Sequence, residues 1–233
     1  MQHTIVEGMQ SYLVRVLVSD APGSLGRLAM SVGDVGGSIQ SVDIVQQFED
    51  NTVMDDIVIA LPDDALSDTL VTAAQQDGNA VVDSIRPYAG SVDRRGQVRM
   101  LASVAADPNP RHALETLAQA MPKTMTASWA IVLEAAADTV TRIAASTAAP
   151  GEESPPTTVD VDSPRLLTPD GERDMWVPET WTLMDTVVAA APVPGTDYVL
   201  VVGRHGGPDF LASEVEHLGD VATIVGAGLD RFR

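Results

Sequence analysis

The sequence contains no cysteine, a single lysine (Lys123) and few aromatic residues, which make up 4% of its 233 residues. Without cysteine, disulfides, thiolate zinc sites and a cysteine nucleophile are all excluded. Because aromatic residues are scarce, the core must be built from Val, Leu, Ile, Ala and Met. A membrane-spanning helix requires a run of about 18 apolar residues, and no run in this sequence is that long. The N-terminus also lacks a basic region followed by an apolar core, so we expect a cytoplasmic protein without a membrane span.

Basic residues are scarce as well. The chain has 33 acidic against 14 basic residues, a formal net charge of −19. This charge repels phosphate backbones and anionic lipids, so nucleic acids and membrane surfaces are not expected partners. The acidic surplus has two interpretations, binding of a cation or amine and ordinary solvated surface charge, of which the second is the more common.

The apolar content of 45% is typical of a globular protein, and the length allows one large or two modest domains. The first half predicts strands, helices and strands in the order βαββαβ, a ferredoxin-like arrangement with both helices on one face of an antiparallel sheet. The predicted strands are 11–19, 39–45, 53–59 and 80–85. The predicted helices are 24–35, which ends at Gly36-Gly37, and one that follows an N-cap at Asp63.

Apolar spacing also predicts which residues of this half are buried. We expect Leu25, Leu28, Ala29, Val32 and Val35 on the inner face of the first helix, and Leu66, Leu70 and Ala73 on that of the second. Asp55 and Asp56 mark an exposed start of the third strand.

The second half begins after a predicted linker, 89–97, which has no periodic apolar pattern. Asn109-Pro110 predicts the start of a helix, strand candidates follow at 128–135 and 139–146, and a proline-rich mobile loop is expected over 150–180. A hairpin is predicted from 184–191 and 198–203. The last helix is predicted to begin at an S-x-x-E capping box, Ser213 to Glu216.

The turn between the first strand and the first helix carries the clearest functional signal. The segment 20–27, Asp-Ala-Pro-Gly-Ser-Leu-Gly-Arg, joins an alternating apolar run to a helical pattern. A helix N-terminus directs free backbone N–H groups to one point and suits an anion such as the carboxylate of an amino acid. The alternative is a Pro-Gly turn that only shapes the chain, with Asp20 as its cap.

The same segment carries a family resemblance. Residues 16–25 and 36–39 resemble an ACT domain, and residues 41–45 and 56–57 are similar to the ACT modules of some malic enzymes. The resemblance covers about 10–88 and implies a small regulatory domain that binds an amino acid and pairs its sheets edge to edge in a homodimer. It implies a ligand site formed by the loop of one subunit and the second strand of the other: Asp20, Ala21, Pro22, Gly23, Ser24 and Leu25 with Gly37, Ser38 and Ile39.

In that site the N–H groups of residues 23–25 would receive the α-carboxylate, and Asp20 would pair with the α-ammonium. Many amino-acid binders of this family have asparagine at the positions of Asp20 and Ser38. This departure leaves open a different ligand or none.

Residues 98–233 are similar to a GAF domain. The segments that carry this resemblance are 198–204, 206–210 and 213–215. This resemblance implies a sensor or dimerisation module around a six-stranded sheet. Trp129, Trp176 and Trp181 would either line a pocket there or anchor the core.

No catalytic or metal-binding pattern is present. The segment 203–207, Gly-Arg-His-Gly-Gly, lacks the ending of a P-loop and favours a connector. The four histidines show no ligand spacing, and no serine has an evident histidine partner. We therefore expect a regulatory small-molecule sensor without catalysis, cofactor or metal. The alternative is a ligand-free dimerisation or interaction scaffold that regulates a partner protein.

Overall fold

The structure is a computed structural model that describes residues 9–75, 80–88, 94–136, 139–153, 155–169 and 171–230. The chain divides into two units, Met1–Val92 and Asp93–Arg233. Each unit has an antiparallel sheet of its own with helices packed on it, so the mixed α+β class expected from the sequence is confirmed. None of the described helices is long and apolar enough to cross a bilayer.

The first unit contains a four-stranded sheet and two helices in the element order expected from the sequence. Its elements are β1 (Met9–Ser19), α1 (Ser24–Asp34), β2 (Ser38–Gln47), β3 (Thr52–Pro62), α2 (Ser67–Gln75) and β4 (Ala80–Pro87). The strands lie in the order β2-β3-β1-β4 and every neighbouring pair is antiparallel. Strand β2 therefore forms one edge of the sheet and β4 the other.

One face of this sheet packs against both helices. Strand side chains alternate between faces, so every second residue of β1 and β3 points to the helices. These residues form one buried cluster with the inner faces of α1 and α2: Val14, Val16, Val18, Val53, Ile57, Ile59, Leu61, Leu28, Val32 and Leu70.

The buried stripes of these helices are narrower than predicted. In α1 the buried side chains are Ser24, Leu28 and Val32, at i,i+4 spacing, whereas Leu25 and Ala29 are exposed. A short helix that packs on a sheet buries only those of its own side chains that point toward the sheet. In α1 these side chains recur every four residues.

The second helix also begins later than the sequence suggested. Helix α2 starts at Ser67, because the backbone N–H of Ala65 bonds to the carbonyl of Pro62 (2.9 Å) and turns the chain first. Leu66 is exposed as a result, whereas Leu70 and Ala73 are buried as predicted.

The second unit contains five strands and three helices within the described residues. These are α3 (Arg94–Ala106), α4 (Pro110–Thr124), β5 (Trp129–Ala136), β6 (Thr139–Ala145), β7 (Arg165–Leu167), β8 (Thr186–Pro192), β9 (Tyr198–His205) and α5 (Ala212–Leu229). The sheet order is β6-β5-β9-β8-β7, again antiparallel. The described part of the chain thus shows a five-stranded sheet where the GAF resemblance implied six strands.

Two boundaries in this unit differ from prediction. Helix α3 begins at Arg94, inside the predicted linker 89–97, and its buried residues Met100 and Val104 come only in its later turns. Helix α5 begins at Ala212, because the Glu214 side chain accepts a hydrogen bond from the Leu211 N–H (2.9 Å). The predicted capping box at Ser213 therefore lies within the helix.

The proline-rich segment 150–180 is irregular over its described residues up to 164, as predicted, and contains a short strand and two 3₁₀ turns after that point. Its mobility stays a prediction. The buried carboxylate of Asp174 accepts hydrogen bonds from Arg165 Nη1 (2.9 Å) and Nη2 (2.6 Å) and from the Thr168 N–H (2.8 Å). Strand β7 and two short 3₁₀ turns lie in or beside this segment, and Leu167 is buried.

Candidate functional site

The predicted ligand loop closes on itself and on the neighbouring turn. The N–H of Asp20 donates to the carbonyl of Asn51 (2.7 Å), and the N–H of Ser24 donates to the carbonyl of Ala21 (3.1 Å). Gly23 has φ +88°, a left-handed conformation that glycine adopts without strain. The loop thus leads directly into α1, but the N–H of Ser24 is already used. The expectation that the N–H groups of residues 23–25 all receive a ligand carboxylate is therefore wrong for Ser24.

Arg27 adds a cation to this loop that the sequence-based site did not include. Its Nη2 donates to Ser24 Oγ (3.1 Å), and a Cβ on Gly23 would lie 3.6 Å from its Nη1. A guanidinium at a helix N-terminus suits a carboxylate better than backbone N–H groups alone. Its position three residues after Ser24 places it on the same face of the first helical turn, and that spacing was the available signal.

The two halves of the predicted site lie at opposite ends of the sheet within one chain. Ser19, just before the loop, pairs with Thr52, whereas Ser38 pairs with Ala60. Eight residues of β3 separate these points, which corresponds to about 26 Å of extended strand. One chain therefore does not bring Gly37, Ser38 and Ile39 to the loop.

The neighbouring carboxylates of β3 point to opposite faces of the sheet, as strand alternation requires. Asp56 forms a bidentate ion pair with Arg15 of β1, with Oδ1 2.7 Å from Nε and Oδ2 2.9 Å from Nη2. The Arg15 side chain is only 2% exposed. This pair compensates two charges that would be costly to bury separately.

Asp55 has the opposite environment on the helix-covered face. It pairs in register with Val16 and Ile44 and is 1% exposed, and neither of its carboxylate oxygens has a hydrogen-bond partner among the described residues. Burial raises the pKa of Asp55, and repulsion from Asp56, Asp20 and Asp43 raises it further. The prediction that Asp55 and Asp56 form an exposed strand start is wrong for both residues.

In the second unit, the prediction that 203–207 is a connector is only partly confirmed, because Gly203, Arg204 and His205 belong to β9 and only Gly206 and Gly207 follow the strand. The fully buried Arg204 donates to Glu214 Oε1 (2.6 Å) and to the carbonyls of Met125 (2.8 Å) and Pro208 (3.2 Å). Its guanidinium also lies 4.0 Å from the centre of the Phe210 ring. The Arg204 guanidinium is thus held by contacts within the second unit and does not face a ligand.

Tryptophan side chains pack on the helix-free face of the second sheet. Trp129 and Trp181 are fully buried, with ring centres 5.8 Å apart, and Trp176 contacts Trp181 edge-on at 6.3 Å. The Trp129 indole crosses Gly203 of β9, where a Cβ would lie 2.1 Å from the ring. The sequence left open whether the tryptophans line a pocket or anchor the core. Trp129 and Trp181 are part of the core.

An open groove of about 780 Å³ runs between α4 and the edge strand β6. Its lining includes Glu115, Gln119 and Lys123 of the helix and Ile143 and Ala145 of the strand. Within the ranges that the structure describes, no group of three or more His, Cys, Asp or Glu residues is placed to hold a metal ion.

No protein-family model matches this chain, and no curated protein matches it. Among solved structures, it is similar to the GAF domain of a proposed sensor histidine kinase from Pseudomonas syringae pv. tomato, at 18% identity over 60% of this chain and 89% of the other (TM-score 0.43). It is also similar to the GAF domain of a phosphoenolpyruvate-protein phosphotransferase from Acinetobacter, at 12% identity over 59% and 92% (TM-score 0.45). The C-terminal domain of the MgtC protein from Mycobacterium tuberculosis matches at 15% identity over 37% and 93% (TM-score 0.28). At these identities and scores the likenesses do not assign the chain to a family.

Proposed function

We propose that this chain is a regulatory protein that binds a zwitterionic small molecule, in the first instance an amino acid, between two copies of its first unit. It has no catalytic activity of its own in this proposal. The observation that carries it is the loop at the start of α1, where a helix N-terminus and Arg27 lie together at one end of the sheet. That combination favours a carboxylate.

The topology of the sheet supports a site shared by two copies. Strand β2 is an edge strand, and its apolar residues Val42 and Ile44 are 39% and 59% exposed. Two such edges related by a two-fold axis would pair antiparallel. The partner's Ser38 would then lie beside Gln47, at the end of the sheet that carries the ligand loop. Pairing of this kind would complete the site that one chain leaves in two halves.

The second unit has a supporting part in this proposal. Its resemblance to a GAF domain suggests a sensor or a dimerisation module. Because Trp129 and Trp181 pack over the helix-free face of its sheet, we favour dimerisation over capture of a second ligand.

A thermal-shift screen of the full chain with the twenty L-amino acids tests whether the protein binds an amino acid. An amino acid present at 100 times its Kd should stabilise the protein by about 2.7 kcal/mol. The absence of a shift with any amino acid would reject the binding proposal.

Substitution of the sheet edges tests the dimer. Val42→Lys places a charge on the β2 edge and should abolish dimerisation in sedimentation velocity. Val81→Lys is the matched control, because Val81 is an exposed valine of β4, the opposite edge strand. Equal behaviour of the two variants would contradict pairing through β2.

The alternative function is an interaction scaffold without a small-molecule ligand. The groove between α4 and β6 favours it, because an open groove beside an edge strand is suited to a protein partner. In that case no amino acid should change the stability of the chain, whereas substitution of Lys123 in the groove should weaken binding of a partner.

A further inference from the structure

The buried carboxylate of Asp55 has no compensating group among the described residues. It is 1% exposed, both oxygens lack hydrogen bonds, and the nearby cation Arg15 binds Asp56 on the opposite face of the sheet. A buried charge without a partner is strongly unfavourable, so an unpartnered buried carboxylate in a native protein requires an explanation. The position of Asp55 in the fold suggests that the missing partner is a ligand cation.

The register of β3 and the packing of α1 place Asp55 at the level of the first turn of α1. Val32 and Ile59 meet at Gly37, where a Cβ would be 2.8 Å from Val32 Cγ1 and 3.3 Å from Ile59 Cγ2. From that level, the eight helical residues back to Ser24 span about 12 Å. The four strand residues back from Ile59 to Asp55 span about 13 Å. Because α1 and β3 run in the same direction, the buried Ser24 lies at the level of Asp55.

We propose that Asp55 accepts the ammonium group of a zwitterionic ligand whose carboxylate binds at the N-terminus of α1 beside Arg27. This inference rests on the proposed function and names the residue that recognises the cationic end. The two charged groups of an α-amino acid are attached to one carbon atom, so a single ligand would present its carboxylate to the helix terminus and its ammonium group to Asp55. Asp55 replaces Asp20 in this role, because Asp20 is exposed to water and its charge is screened.

The surroundings favour an ammonium group over an uncharged ligand. Burial and, in addition, repulsion from Asp56, Asp20 and Asp43 raise the pKa of Asp55, and a ligand cation beside Asp55 would relieve both effects. A ligand cation entering this site would displace no existing hydrogen bond of Asp55, since none is made.

The test compares Asp55→Asn with Asp20→Asn in the full chain. Each variant is titrated calorimetrically with the twenty L-amino acids and with their N-acetyl derivatives, which keep the carboxylate and lose the ammonium charge. For an amino acid that binds the unsubstituted chain, Asp55→Asn should weaken affinity about 10- to 100-fold, the effect of losing a charge-assisted hydrogen bond. Asp20→Asn should change it less than about threefold.

The N-acetyl derivatives separate ammonium recognition from a structural role. In the unsubstituted chain the free amino acid should bind far more tightly than its N-acetyl form, and in Asp55→Asn the two should bind about equally. The melting temperature of the ligand-free Asp55→Asn variant should not fall, which excludes unfolding as the cause. Full affinity in Asp55→Asn would overturn the assignment of Asp55 and leave the proposed function intact. Failure of every amino acid to bind the unsubstituted chain would overturn both.

Discussion

Replacing the two neighbouring aspartates of β3 by asparagine should change the free energy of unfolding in opposite directions. Asp56→Asn breaks the bidentate ion pair with Arg15, whose side chain is 2% exposed, and should cost up to about 3–5 kcal/mol. Asp55→Asn removes a buried charge that has no partner among the described residues and should stabilise the chain by about 1–3 kcal/mol. For a unit of this size, each kcal/mol corresponds to a shift in Tm of about 4–8 °C.

Urea titrations followed by circular dichroism measure both effects, and their pH dependence checks the cause. The pKa of Asp55 in the folded chain is raised above its ordinary value of 3.8. The folded chain therefore holds this proton to higher pH than the unfolded chain does, and stability falls as the pH rises from 3.8 through the folded pKa. The advantage of Asp55→Asn should accordingly grow from acidic to neutral pH. Two variants that change stability in the same direction, or a difference that does not depend on pH, would refute the reasoning.

Two further predictions concern the packing of the second unit. Gly203→Ala would place a methyl group 2.1 Å from the Trp129 ring and should lower the free energy of unfolding by about 1–3 kcal/mol, whereas the control Gly26→Ala, at an open helical position, should raise it by about 0.4–1 kcal/mol. Arg204→Met would remove the buried guanidinium that donates to Glu214 and to the carbonyl of Met125, and should cost about 3–5 kcal/mol in the same urea assay. Retention of full stability by either Gly203→Ala or Arg204→Met would contradict the contacts described for it.

Local sequence signals predicted the elements of the first unit and the position of its loop. The Pro-Gly turn before a helical pattern and the glycine pair after it correspond to α1, which is followed by Gly36 at φ +77°. Asn109 likewise caps α4, with its side chain accepting a bond from the Arg111 N–H (3.0 Å). These features depend on residues a few positions apart, which a sequence displays directly.

The features that the sequence did not reveal depend on distant partners. The burial of Asp56 requires Arg15, 41 positions away, and becomes visible only once the register of β1 with β3 is known. The buried ion pair of Asp174 with Arg165 lies within the proline-rich segment 150–180, and composition alone does not indicate it. The environment of Asp55 was missed for the same reason, because two adjacent acids resemble an exposed strand end.

The division of the candidate site between two copies is the central claim, and sedimentation equilibrium of the full chain tests it most directly. The dissociation constant of the dimer is measured alone and with each of the twenty L-amino acids. We expect at least one amino acid to tighten the dimer by about 5- to 150-fold, the range of ordinary allosteric coupling. A dissociation constant that no amino acid changes, or a chain that stays monomeric throughout, would contradict the account.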